Sequence, residues 1–373
     1  MKVMQLTETL EIGGQERLAV ALANQLAASC EVALACMKHS GPLAGGLDER
    51  VELMEFGKGE GNSAAAVWKL SRAIRERRIE ALHSHDWGVF LDGAAAAMLA
   101  GGVRHVLTIH GAYMAYPPGA WAGIKKRLRH LAERATLWFD TTIVCVSEEL
   151  AEQVCREVGV NRSRVQVIVN GVGDLPLPTR ADAAGRTYRF ICVGRLATVK
   201  NLPMLIDAFG ELLRQGLDTQ LDIVGDGPER AALERQVASA GIEASRVRFL
   251  GFRPDVAGLL ATADAFVLSS NSEGMPMAVL EAMQSGLPVI ATRVGGVPSL
   301  VQDGVTGSLV RPGDSRQLAE AMRSLVQDPG SALRAGLCGA SRVRERFSEQ
   351  AMLAAYTRLY CGTGHGFCGR GLA

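Results

Sequence analysis

Glu273 and Glu281 stand eight residues apart in SEGMPMAVLEAM (272–283), a stretch with no other charge. Glu273 is followed by Gly274, Met275 and Pro276. A proline suits the first helical position, because its ring presets φ and its missing N–H would be unpaired there. A carboxylate just before it meets the free N–H groups and the positive end of the helix. Glu281 falls among Met277, Ala278, Val279, Leu280, Ala282 and Met283, so this helix is expected to be buried nearly all round. A carboxylate inside it must be paired or must face something polar. Eight residues of helix span about 12 Å, too far for one shared proton or metal ion. Two hydroxyl-rich groups of one extended ligand fit that spacing, and so does a capping Glu beside a buried ion pair.

Two cations hold a comparable position. Arg195 and Lys200 lie in VGRLATVKN (193–201), after an apolar run and before a helix opening near Asn201. A strand end, two cations and a helix N-terminus are the parts of a phosphate site. A solvated loop is the plainer alternative. Gly13 and Gly14 open the first helix in IGGQE (12–16) and allow close backbone approach at a second helix N-terminus. VGDGPE (224–229) lacks the third glycine and the later acidic residue of a dinucleotide fingerprint, which disfavours a dehydrogenase. In HSHD (83–86), His83 and His85 are expected on opposite sides of a strand, which argues against a shared metal. His110 ends the strand of TIHG (108–111), a loop position from which an imidazole reaches a cleft. A hydrogen-bonded structural histidine is the alternative. The chain has no D-x-D, no G-x-S-x-G and no G-x-x-x-x-G-K-[ST], so paired-aspartate metal sites, serine hydrolases and P-loop kinases are disfavoured.

These residues need elements to hold them, and they fall just after short apolar runs. VMQL, EVALAC, VELMEF, ALHSH, VLTIH and TIVCV have strand length, with helical stretches such as GGQERLAVALANQLAAS and AAAVWKLSRAIRERR between them. The polar, Gly- and Pro-rich NGVGDLPLPTRADAAGR (170–186) interrupts the alternation. It restarts with RFICVG, LDIVG, VRFLG, AFVLSS, LPVIAT and GSLV. Strands spaced by helices imply parallel sheets covered on both faces. At 373 residues, two doubly wound α/β domains are expected, 1–172 and 173–349. Ligands of such sheets bind beyond the carboxyl ends of the strands, so a cleft between the two domains is the expected site.

The bulk numbers exclude other classes. Forty Lys plus Arg against 39 Asp plus Glu leave a net charge of +1, so no global field favours nucleic acid. No apolar run reaches membrane-spanning length, and the N-terminus reads as a buried strand rather than a signal peptide. Eight scattered Cys without a C-x-x-C pair suggest a reducing cytoplasm and no zinc site. KKRLRH (125–130) carries Lys125, Lys126, Arg127 and Arg129 on a helix with apolar neighbours. A basic stripe of this kind could touch an anionic membrane surface at the inner face, and a solvated helix face is the alternative.

Taken in order, the motifs resemble the family 4 glycosyltransferases, retaining enzymes of the GT-B fold. They are Gly-Gly-x-Glu at 13–16, HSHD, TIHG, CVSEEL (145–150), VNGV (169–172), VGRL with Lys200, the two Glu with seven residues between, and GLPVIATRVGGVPSLVQDGVTGSLV (286–310). Ser299 stands where an acidic residue often follows GG-x-P in that family. The resemblance implies two Rossmann-like domains facing across a deep cleft, with a C-terminal helix from about 350 crossing back to the first. It implies a nucleotide-sugar donor on the second domain and a hydroxyl acceptor, as yet unidentified, on the first. By position, Arg195, Lys200, Gly13 and Gly14 would meet the donor diphosphate. Glu273, Gly274, Met275 and Pro276 would meet the sugar, Glu281 the ribose, and Gly251, Phe252 and Arg253 the base. His110 would lie near the anomeric carbon, with Gln15, Glu16 and His85 toward the acceptor. The implied activity is hexosyl transfer with retention and without a metal or other cofactor, in cell-surface polysaccharide or glycolipid synthesis. A nucleotide-sugar epimerase of the same fold and a non-catalytic sugar-nucleotide binder are the alternatives.

Overall fold

The computed structural model describes residues 1–61, 63–111, 122–136, 141–173, 177 and 186–362. The chain divides into two compact units, one of Met1–Val169 with Gln350–Ala373 and one of Asn170–Glu349.

The first unit is built on seven parallel strands: β1 (Lys2–Thr7), β2 (Glu31–Cys36), β3 (Val51–Glu55), β4 (Ala81–His85), β5 (Arg104–Ile109), β6 (Thr141–Cys145) and β7 (Val165–Val167), in the order β3-β2-β1-β4-β5-β6-β7. β1 pairs Val3 with both Val32 and Ala81, so it lies at the centre with helices on either face. Its apolar residues therefore run on without alternation. Val3 packs with Leu22, Leu34 and Val144, whereas Met4 and Leu6 pack on the other face with Leu70, Ile74 and Leu82. The helix Glu349–Cys361 belongs to this unit by packing, since Met352, Tyr356 and Tyr360 complete the Val3 side of its core.

The second unit has six parallel strands: β8 (Tyr188–Val193), β9 (Thr219–Val224), β10 (Val247–Gly251), β11 (Ala265–Leu268), β12 (Val289–Thr292) and β13 (Gly307–Val310), in the order β10-β9-β8-β11-β12-β13. One face packs Phe190, Leu221, Ile223, Val267 and Ile290 against Leu205, Phe209 and Met322 of the covering helices. Local signals set the helix ends. Ser147 Oγ accepts the Leu150 N–H at 3.2 Å, and Asp314 Oδ1 accepts the Gln317 N–H at 2.9 Å.

In both sheets the strand order reverses beside the first strand, between β1 and β4 and again between β8 and β11. Those reversals are the switch points where doubly wound sheets open a crevice past their strand ends.

β7 is a strand of three residues inside the apolar stretch VQVIV (165–169), which was not among the expected strands. Two expectations need correction. The helix after Glu273 spans Met277–Gln284, with Pro276 preceding it as an extended cap (ψ 115°) rather than as its first residue. That helix is also not buried all round. Val279, Leu280, Ala282 and Met283 are buried, but Met277, Ala278 and Glu281 form a partly open side.

Candidate active site

The switch point of the second unit gathers the charged residues. The loops leaving β8 and β11 are stitched together. Asn271 donates its N–H to Val199 O at 2.8 Å, Ser269 its hydroxyl to Lys200 O at 2.9 Å, and Asn201 its amide to Asn271 Oδ1 at 3.0 Å. Asn201 is left-handed (φ 45°), a conformation asparagine tolerates better than most residues. From there the chain enters the helix Leu202–Arg214.

This stitching sets Lys200 against Glu273. Lys200 Nζ lies 2.6 Å from Glu273 Oε1, and Ser270 Oγ donates to the same oxygen at 2.5 Å. Glu273 is the more deeply placed, its side chain 9% exposed against 23% for Lys200. Its other oxygen makes no hydrogen bond among the described residues. Arg195 is exposed, and its guanidinium pairs with no described residue. The glycines of VGDGPE lie under the Arg195 loop. A Cβ on Gly225 would meet Gly194 O at 2.0 Å, and one on Gly227 would meet Leu196 O at 2.4 Å. On the other flank, Gly296 donates to Gly274 O at 2.7 Å, and a Cβ on Gly295 would lie 1.7 Å from Glu273 O. Asn170 clasps Met275 twice, its N–H on Sδ and its Nδ2 on the carbonyl, both at 3.1 Å. Glu281 stands on the open side of its helix. Phe252 is 38% exposed, and Arg253 forks onto Asp255 at 2.8 and 2.7 Å.

In the first unit, the ends of β1, β4 and β5 place Gly13, His85 and His110 on one edge of the sheet. Gly13 caps the helix Gly14–Leu26 without a side chain, and the Glu16 carboxylate folds back over it, where a Cβ would lie 2.0 Å from Oε2. Gln15 Nε2 donates to Glu16 Oε1 at 2.9 Å. Gly14 has open space on its Cβ side. His83 and His85 share a face, contrary to the expectation from HSHD. Residues two apart on a strand point the same way, and the two rings lie 4.1 Å apart. His83 bonds Tyr360 Oη and Thr108 Oγ1, each at 2.7 Å, while His85 bonds Gln5 Oε1 at 2.8 Å and His110 Nε2 at 3.1 Å. Desolvation keeps these rings neutral, lowering His83 and His85 well below the ordinary imidazole value and His110 to about 3. Asp86, left-handed at φ 70°, accepts the backbone N–H groups of Trp87 and His110. Burial still raises its pKa to about 6.

Two family models match the chain, Glycosyltransferase Family 4 over residues 12–174 and Glycosyl transferases group 1 over residues 187–328. The 2-deoxystreptamine glucosyltransferase of Streptomyces kanamyceticus is 31% identical over 66% of this chain and 69% of its own. The chain is a family 4 glycosyltransferase. It is also 37% identical, over 59% of its length, to the lipopolysaccharide core biosynthesis glycosyltransferase LpsD of Rhizobium meliloti (strain 1021). That match spans 63% of the relative, less than two thirds of it. Among solved structures, the Anabaena protein Alr3699/HepE in complex with UDP and glucose aligns with TM-score 0.81 at 22% identity. The alignment covers 97% of this chain and all of that one, so the fold is GT-B.

The basic stripe of this glycosyltransferase is not uniformly outward. Arg129 turns in, to Glu133 at 2.8 Å and to Trp87 O at 2.7 Å, while Arg127 is exposed. The side chains of Lys125 and Lys126, and residues 112–121 of the variable stretch 111–124 expected to carry acceptor contacts, lie outside the described residues. Among the described residues no helix is long and apolar enough to cross a membrane. Ser270 and Asn271 carry no motif of their own, and Asn201, at the end of VGRLATVKN, gave no sign that it would bond Asn271. Gln5, Tyr356 and Tyr360 gave no sign either, because their partners lie 80 or more positions away.

Proposed function

We propose that this glycosyltransferase moves a hexosyl unit from a nucleoside-diphosphate sugar to a hydroxyl acceptor with retention and without a divalent metal, in polysaccharide or glycolipid synthesis. The reading is carried by the cluster at the β8–β11 switch point. There a paired Lys200–Glu273 and an unpaired Arg195 stand at the N-terminus of the helix Leu202–Arg214. Cleavage of a sugar–phosphate bond leaves negative charge on the diphosphate, and two cations beside a helix N-terminus, Lys200 held by Glu273 and Arg195 unpaired, stabilise it. Lys200 spends one of its three N–H donors on Glu273 and keeps two for phosphate oxygens. The free oxygen of Glu273 accepts a sugar hydroxyl. The ribose falls to Glu281 and the base to Gly251, Phe252 and Arg253. The UDP bound by Alr3699/HepE supports a nucleotide ligand of this class.

Retention follows if the acceptor oxygen attacks the anomeric carbon from the face the phosphate leaves, with a departing phosphate oxygen taking the acceptor proton. No protein nucleophile is required. Gly14, open on its Cβ side, marks a helix N-terminus of the first unit that suits an anion once the Glu16 carboxylate makes way.

A thermal-shift screen of nucleoside diphosphates and their sugars tests the reading, because a ligand of the native state alone raises its melting temperature. One nucleoside diphosphate and its sugar should stabilise the protein, and transfer from that sugar should persist in EDTA. A screen in which none binds would defeat the proposal. NMR of the product anomer then decides retention, and a new sugar formed without any acceptor would mark an epimerase instead.

A further inference from the structure

Three histidines of the first unit, His83, His85 and His110, share one directed hydrogen-bond chain, and its origin is the amide of Gln5. A carbonyl oxygen only accepts, so His85 Nε2, 2.8 Å from Gln5 Oε1, carries the hydrogen. A neutral imidazole has one hydrogen, which leaves His85 Nδ1 bare and able to accept. Its partner at 3.1 Å, His110 Nε2, is therefore the donor. His110 Nδ1 is then a bare lone pair. It makes no hydrogen bond among the described residues, and the ring is only partly buried. The other arm runs consistently. Gln5 Nε2 only donates, to Tyr360 Oη at 3.4 Å. Tyr360 then donates to His83 Nδ1 at 2.7 Å, and His83 Nε2 to Thr108 Oγ1 at 2.7 Å, which leaves the Thr108 hydroxyl to donate to Tyr356 Oη at 3.0 Å. The backbone of His110 is pinned separately, by the Asp86 carboxylate. The ring thus has a fixed position and a fixed hydrogen.

We propose that Gln5 and His85 are positioning residues that hold His110 in its Nε2–H form, so that the nitrogen it presents to substrate is a hydrogen-bond acceptor. The substrate group it meets is then a hydroxyl that donates. A fluorine or methoxy at that position, each able to accept but not to donate, would be refused, while an amine would be tolerated. This rests on the proposed transfer, with His110 near the anomeric carbon as the family resemblance implies.

The test has two parts. In protein labelled with nitrogen-15 histidine, long-range proton–nitrogen correlation at pH 7 reports the tautomer of each ring, with His110→Gln supplying the assignment. His85 and His110 are both expected as Nε2–H. Gln5→Leu and Gln5→Met remove the carbonyl. Folded by circular dichroism, both should show a mixture of tautomers at His110 and lose about tenfold or more in kcat/KM, on the scale of one proton-positioning contact. Wild-type protein should lose a similar factor with a donor deoxyfluorinated at one ring position. A wild-type His110 found as Nδ1–H or doubly protonated overturns the proposal, and so does an unchanged His110 signal in both Gln5 variants. Tautomers that shift as expected while transfer is unaffected would instead overturn the placement of His110 beside the sugar, and would leave the β8–β11 site standing.

Discussion

Arg195 and Lys200 sit five positions apart, yet different things hold them. Arg195 is exposed and unpaired among the described residues, whereas Lys200 offsets a carboxylate that is 9% exposed. Removing Arg195 should therefore cost activity without stability. In Arg195→Ala we expect kcat to fall about 10²–10³-fold, on the scale of one oxyanion donor, with a melting temperature near wild type. Lys200→Ala should lose as much activity and also about 1–3 kcal/mol of stability, because Glu273 is left buried and unpaired. Turnover measured beside urea unfolding separates the two. Asp86 makes the opposite case. Its Oδ1 is buried without a hydrogen-bond partner, and burial raises its pKa from 3.8 to about 6. A raised carboxylate pKa contributes stability below pH 3.8 that is lost as pH climbs through 6. Asp86→Asn, which keeps an acceptor and tolerates φ 70°, should then stabilise the protein at pH 8 by about 1–3 kcal/mol and do little at pH 3.5. Melting temperatures at the two values check the sign.

At the scale of elements, four loops that follow β8, β9, β11 and β12 interlock through close-packed glycines as well as side chains. Gly225→Ala would drive a Cβ to 2.0 Å from Gly194 O at φ 132°, and Gly295→Ala would drive one to 1.7 Å from Glu273 O at φ 47°. Each should destabilise the second unit by about 1–3 kcal/mol or more and displace Arg195 or Glu273 along with its loop. The expected signature is a fall in kcat larger than the change in melting temperature alone explains. The same loops show what a sequence conveys. The twelve apolar runs could be read as strands because a strand covered on both faces must be apolar throughout. Glycines after those runs marked the edge where ligands bind. The Lys200–Glu273 pair was not visible, since contact between residues 73 positions apart depends on which strands become neighbours. Nor was the open side of Met277–Gln284, whose Met277 and Ala278 look like core residues until the helix is docked. The shared face of His83 and His85 is legible in the sequence, because residues two apart on a strand point the same way.

Across the whole molecule the titrating groups are unevenly shared. The seven His of the chain lie at 39, 83, 85, 105, 110, 130 and 365, all outside the second unit, Asn170–Glu349. His83, His85 and His105, which are buried, and the partly buried His110 are neutral, with pKa values lowered from 6.5, to about 3 in the last two. A lowered histidine pKa contributes stability above 6.5 that drains as pH falls below it, at about 1.4 kcal/mol per pH unit for each ring. Asp86 gains over the same interval, but it is one group against four. The first unit should therefore open to proteolysis near pH 5. The second should hold until its own lowered carboxylates, such as Asp218 and Asp314, begin to protonate below 3.8. Fragments retaining 170–349 would confirm that order of loss. The helix Glu349–Cys361 gives the two units an order of birth as well. Tyr356 and Tyr360 close a core begun by Val3, so a growing chain holds every strand of its first unit long before it holds the plug. The second unit, by contrast, is complete as soon as Glu349 has been made. On the ribosome the half that is translated first is thus the half that finishes last, and its unfilled apolar face is what a chaperone would meet.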